Sequence, residues 1–283
     1  MKHFKKNAAL TCFLLVLICL VACKDSKKEV QESATEIEAK PFELQGEEVT
    51  YSTDSTAMKG YIAFNKNADT TNPGVIVVHE WWGHNEYSRK RADMLAELGY
   101  TALAIDMYGE GKQAAHPSDA GKFAMMVMGN TELAEARFDA AMQVLKSHPT
   151  VNPDEIAAIG YCFGGSVVLT MANAGKDLDA VVAFHSGVEL PIMPNDKLKA
   201  RVLVVNGGAD PFISEKSVVN FKKALDSVHA EYQYMTIDSA KHAFTSKAAD
   251  SLGAKFNLPL EYNANADEKS WDALKSLLSN TFK

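Results

Sequence analysis

The chain has 283 residues, 47% hydrophobic and 23% charged, a globular composition that excludes wholesale disorder and collagen-like repeats. Its formal charge of −7 does not suit a phosphate backbone, so no nucleic-acid partner is expected. Of the four cysteines, Cys12, Cys19 and Cys23 lie close to the N-terminus, which leaves Cys162 alone in the body of the chain with no disulfide framework.

The N-terminus reads as an address. Lys2, Lys5 and Lys6 precede an uncharged, mostly apolar run over 8–21, long enough for a signal-peptide core and short for a membrane span. The run ends in Leu20-Val21-Ala22-Cys23, which resembles a bacterial lipobox. That resemblance implies a signal peptide over 1–22, lipidation of Cys23, and an exported protein held at the cell envelope only by its N-terminal lipid. Residues 23–45 have low hydrophobicity and mixed charge and read as a polar linker. One domain is expected over 46–283.

Further along, strands and helices alternate. Residues 49–53 and 58–64 read as two paired strands around a turn at Asp54-Ser55. The apolar run 74–78 reads as a strand buried on both faces. A helix over 86–98 stops at Gly99, and a strand over 101–106 follows. Residues 114–130 read as an inserted helical segment. Leu133, Ala136, Ala140, Val144 and Leu145 share one face of a helix over 132–146. Strands are expected at 156–160, 180–184, 202–206 and 232–237, and helices at 164–174, 215–227 and 268–282. This alternation implies an α/β fold, a mainly parallel sheet covered by helices on both faces.

The chemistry gathers at strand ends. Gly160-Tyr161-Cys162-Phe163-Gly164-Gly165 falls between a strand and a helix, a nucleophile-elbow pattern with cysteine in place of serine. The turn is so sharp that side chains at Gly160 and Gly164 would collide, and the following helix points its N-terminus at the sulfur, which favours a thiolate. The backbone N–H of Phe163 is one candidate oxyanion donor. Asp210 follows one later strand and His242 the next, and nucleophile, acid, histidine is the chain order of α/β-hydrolases. Asp210 would fix the imidazole tautomer, and His242 would take the thiol proton. His79 and His84 do not read as a zinc pair: five residues apart, they would lie roughly 140° round a helix. Gly109-Glu110-Gly111-Lys112 lacks the spacing of a phosphate loop, so no metal or other cofactor is expected. Phe123, Met125, Met126 and Met128 read as a helix packed on the pocket. His185-Ser186-Gly187 lacks an elbow and reads as a loop at the edge of the core.

These stretches, with His79-Glu80-Trp81-Trp82-Gly83, 92–108, 206–210, 241–245, Tyr262-Asn263-Ala264 and Ser270-Trp271, resemble the dienelactone hydrolase family of α/β-hydrolases, from about residue 47 to the C-terminus. The resemblance implies a Cys162–Asp210–His242 triad, Glu80 in contact with the resting thiol, and the Trp81 N–H as the second oxyanion donor. It also implies a small-molecule ester or lactone as substrate. Family type enzymes hold a free substrate carboxylate with arginines, one of them soon after the catalytic histidine. Here Lys247 is the first cation after His242, and the arginines are Arg89, Arg91, Arg137 and Arg201. Lys112, Lys122 and Arg137 are the candidates to replace them. Trp81, Trp82, Tyr108, Phe212 and Phe244 are expected to line an apolar, aromatic pocket. A broad carboxylesterase or thioesterase without a lactone role, and a surface binding lipoprotein on a hydrolase scaffold, are the alternative readings.

Overall fold

A computed structural model describes residues 40–53 and 56–283. The signal peptide, Cys23, most of the linker and the Asp54-Ser55 turn lie outside the described residues. The sheet begins with the antiparallel pair β1 (Leu44–Thr53) and β2 (Thr56–Asn65). Its parallel part comprises β3 (Asn72–Val78), β4 (Thr101–Ile105), β5 (Val151–Tyr161), β6 (Ala180–Phe184), β7 (Arg201–Gly207) and β8 (Tyr232–Ile237). Spatial order is β1-β2-β4-β3-β5-β6-β7-β8, and β2 meets β4 antiparallel. This is the mainly parallel layout expected from the sequence.

Period-two alternation explains how one sheet serves two cores. Ile76 and Val78 enter the core beneath α3 (Thr131–Lys146), α4 (Phe163–Asn173) and α5 (Glu215–Ser227), which contribute Phe138, Val167 and Phe221. Val75 and Val77 face the other core, closed by Ala92 and Leu95 of α1 (Glu86–Glu97) and by Leu274 and Leu278 of α7 (Ala264–Thr281). Each such fully buried Val, Leu or Phe side chain contributes about 1.5–3 kcal/mol of transfer free energy.

Some boundaries differ from the sequence expectation. The domain starts before residue 46, because β1 begins at Leu44 and its Gln45 pairs with Phe64. β5 begins at Val151, five residues early, where Asn72 and Pro73 extend the pairing across a register shift. The inserted segment forms α2 (Pro117–Met128), started by Pro117 and by the His116 side chain, which accepts from the Ser118 N–H. α7 starts four residues early because Asn263 caps it, accepting from the Ala266 N–H. α6 (Ala249–Phe256) had no counterpart in the sequence reading; it is short and lacks a side-chain cap.

Candidate active site

The C-terminal ends of the parallel strands bring together the residues picked out in the sequence. Val78 pairs with Gly160 and Tyr161 with Phe184, so the loops carrying Glu80, Cys162 and His185 leave the sheet side by side. Cys162 is the one residue between β5 and α4, held at φ 54°, ψ −116°. A non-glycine residue at positive φ is strained, and the surroundings hold it there. Its N–H donates to Phe184 O at 2.9 Å. A Cβ on Gly160 would run into Gly164 O, and one on Gly164 into Val78 O; both sites accept only glycine.

The His242 Nδ1–H donates to Asp210 Oδ2 at 2.8 Å, which leaves Nε2 to face Cys162 Sγ at 3.1 Å. Asp210 is itself fixed, since its Oδ1 accepts from the Phe212 N–H at 2.9 Å. Gly207 makes this meeting possible: a Cβ there would strike Ala240 O, two residues before His242. Burial opposes protonation of His242, but the Cys162 sulfur and the Asp210 carboxylate outweigh it and push the imidazole up to about 10.

Glu80 is buried with 5% exposure, and its carboxylate accepts no hydrogen bond among the described residues. No hydrogen bond joins Glu80 to the Cys162 thiol among the described residues, and it is His242 that faces the sulfur. Burial pushes the Glu80 carboxyl up to about 7, against the attraction of His242 and Arg91. Neither the Phe163 nor the Trp81 N–H has an acceptor among the described residues, and both residues line the cavity beside Cys162. His79 uses both ring nitrogens for backbone: Nδ1–H donates to Glu80 O at 2.6 Å, and Nε2 accepts from the Met107 N–H at 3.2 Å.

The cavity, about 780 Å³, departs from the aromatic pocket expected. Of the five expected aromatics only Trp81 lines it, together with Phe163, Ala124, Met128, Leu190 and Met193. Tyr108 is buried behind it and donates its hydroxyl to Trp81 O at 3.0 Å, so it positions the loop. Trp82 is also buried and stacks on Phe256 of α6. Phe244 is fully buried edge-on to His185, and Phe212 stands exposed with its ring 5.1 Å from that of His242. In α2, Met128 reaches the cavity and Phe123 packs on Tyr108, but Met125 and Met126 face solvent.

None of the candidate cations lines the cavity. Lys112 pairs with Glu110, Lys122 with Asp119, and Arg137 donates to Met107 O. Arg89 pairs with Glu48, Arg91 with Asp267, and Arg201 with Glu231.

The sequence reading missed a buried network behind His242. The Thr245 hydroxyl lies 2.7 Å from His185 Nε2 and 2.5 Å from the Tyr87 hydroxyl, while Arg91 donates to Thr245 O and Asp267. The His185 ring then meets that of His242 edge-on at 5.3 Å. The available signal was weak: three polar residues far apart in sequence, each just after or within an apolar element. Thr245→Val keeps the shape and leaves two buried polar groups without a partner, a cost of about 1–3 kcal/mol. The expected result is a lower urea midpoint and a lower kcat at little-changed KM, measured on the same preparation.

The dienelactone hydrolase family model matches residues 58–282. A solved dienelactone hydrolase-like promiscuous phosphotriesterase from metagenomic libraries is 30% identical, with a TM-score of 0.79, and the match covers 85% of this chain and 99% of that one. A protein of Aquifex aeolicus (strain VF5), provisionally named a carboxymethylenebutenolidase, is 26% identical over 73% of this chain and 90% of its own length. Protein usf of Aquifex pyrophilus is 28% identical over 73% of this chain and 90% of its own length.

Proposed function

The chain belongs to the dienelactone hydrolase family, with the α/β-hydrolase fold and the hydrolysis of ester or lactone bonds that go with it, and we propose that it cleaves them through a cysteine nucleophile. The observation that carries the proposal is the continuous line Asp210 Oδ2, His242 Nδ1, His242 Nε2, Cys162 Sγ, with steps of 2.8 and 3.1 Å at its ends. His242 takes the thiol proton, the sulfur attacks the carbonyl carbon, and the N–H groups of Phe163 and Trp81 receive the oxyanion. Collapse expels the alcohol, protonated by His242, and leaves a thioester on Cys162. Water, deprotonated by His242, then releases the acid and restores the thiol. Glu80, buried beside the imidazole, stabilises its charged form electrostatically.

The substrate reading is a small neutral ester or lactone, because no cation lines the cavity and a buried carboxylate without a partner costs several kcal/mol. The test profiles the purified protein against neutral lactones, short and long acyl esters and the anionic dienelactone. Neutral esters and lactones are expected ahead of the anionic dienelactone; a kcat/KM for dienelactone far above theirs would overturn this reading.

Anchoring is a separate part of the proposal and rests on the Leu20–Cys23 motif. Cys23→Ser is expected to leave an unlipidated precursor, detected by its mass and its failure to partition into detergent. Recovery of the unaltered protein without lipid at Cys23 contradicts it.

A further inference from the structure

The cavity beside Cys162 has one charged side chain in its lining, Glu189, and the rest are apolar or neutral polar groups. Glu189 lies in the loop after β6, between Val188 and Leu190, which are buried at 1% and 8% exposure. Those neighbours pin the loop and leave Glu189 itself exposed at the cavity. Its carboxylate forms neither an ion pair nor a side-chain hydrogen bond among the described residues. Every arginine is engaged by another group, so none is free to neutralise it. Ser217 and Asn220 of α5, also in the lining, offer polarity without charge. A carboxylate at the mouth of an apolar, concave site adds negative potential there, which attracts cations and repels anions.

We propose that Glu189 is a specificity residue that makes this cavity select its substrates by charge. Cationic esters are taken ahead of neutral ones, and carboxylate-bearing esters come last. The inference rests on the reading of this cavity as the ester site and deepens it to a class: an apolar acyl group, seated against Ala124, Met128, Leu190 and Met193, that carries a positive charge or none.

Two arms of one experiment separate this inference from the hydrolase reading. In the first, Cys162 of the full chain is modified by methanethiosulfonates that carry a trimethylammonium group, a sulfonate or a plain methyl. The Cys162 sulfur attacks the sulfenyl sulfur, an S–S bond forms, methanesulfinate leaves, and the thiol proton goes to His242. Modification is followed at the Cys162 peptide by mass, and each charged reagent is compared with the neutral one on the same variant. Removing one exposed charge is expected to lower the cation-to-anion rate ratio about fivefold in Glu189→Gln, and charge reversal in Glu189→Lys is expected to lower it further. Both differences shrink at high salt. In the second arm, kcat/KM for matched ammonium-bearing, neutral and carboxylate-bearing esters moves in the same direction. A ratio unchanged in both Glu189 variants overturns the inference, whatever the ester arm gives. Absence of Cys162-dependent hydrolysis of any ester overturns the hydrolase mechanism and leaves the first arm to decide the role of Glu189.

Discussion

Cys162→Ala is expected to lower kcat/KM for a neutral ester by about four orders of magnitude or more, with the fold and the apolar cavity unchanged. The sulfur sits 3.1 Å from His242 Nε2 and forms no other side-chain hydrogen bond among the described residues, so its removal takes away the nucleophile and little packing. His242→Ala should fall nearly as far, because the thiol then has neither a base nor an imidazolium beside it. The double variant should be scarcely worse than either single one, since groups that act as a unit lose their effect together. Kinetics of the three variants, with circular dichroism to verify folding, check this. Additive losses would mean that the two residues act in separate steps.

Outside the triad, Glu80→Gln is expected to have the largest effect, and its signature is in the pH dependence. Burial holds the Glu80 carboxyl at about 7, above its ordinary value of 4.5. The folded state therefore keeps a proton there that the unfolded state has lost, and stability falls as pH rises from 4.5 to 7. Glutamine removes this dependence, so the variant should gain about 3 kcal/mol relative to the parent between pH 4.5 and pH 8. Activity moves the opposite way. Above pH 7 the ionised carboxylate supports the His242 imidazolium, so the parent should gain kcat/KM across an acid limb near pH 7, and the variant should be at least tenfold slower at pH 8 and lack that limb. Urea denaturation and pH–rate profiles on both proteins measure the two effects. A limb that survives in Glu80→Gln assigns it to another group.

Much of the site was legible in the sequence because backbone geometry dictates it locally. The elbow needs glycine at 160 and 164, and the contacts a Cβ would make there give the reason: Gly164 O and Val78 O leave no space. Asp210 and His242 were legible through strand order, which a doubly covered parallel sheet converts into spatial neighbourhood. The pocket was not legible. Trp82, Tyr108 and Phe244 have the composition of a pocket wall, but whether an aromatic faces a cavity or the core behind it depends on loop paths with no periodicity. Tyr108 turned inward because the Asp106 carboxylate gathers the N–H groups of Tyr108, Gly109 and Gly111, curling the loop beneath it. Leu190 and Met193, which do line the cavity, lie in a segment with neither helical nor strand pattern. The His185–Thr245–Tyr87 chain escaped notice for a related reason: its members are 158 residues apart at the extreme, joined only by tertiary contact.

The central claim is that hydrolysis passes through a thioester on Cys162. The most direct measurement is an acid quench of the full chain during turnover of a neutral ester, followed by peptide mass spectrometry. The account predicts a mass increase equal to the acyl group on the Cys162 peptide, removed by neutral hydroxylamine and absent from Cys162→Ala. An acyl group on another residue, or ester turnover that persists undiminished in Cys162→Ala, would contradict it.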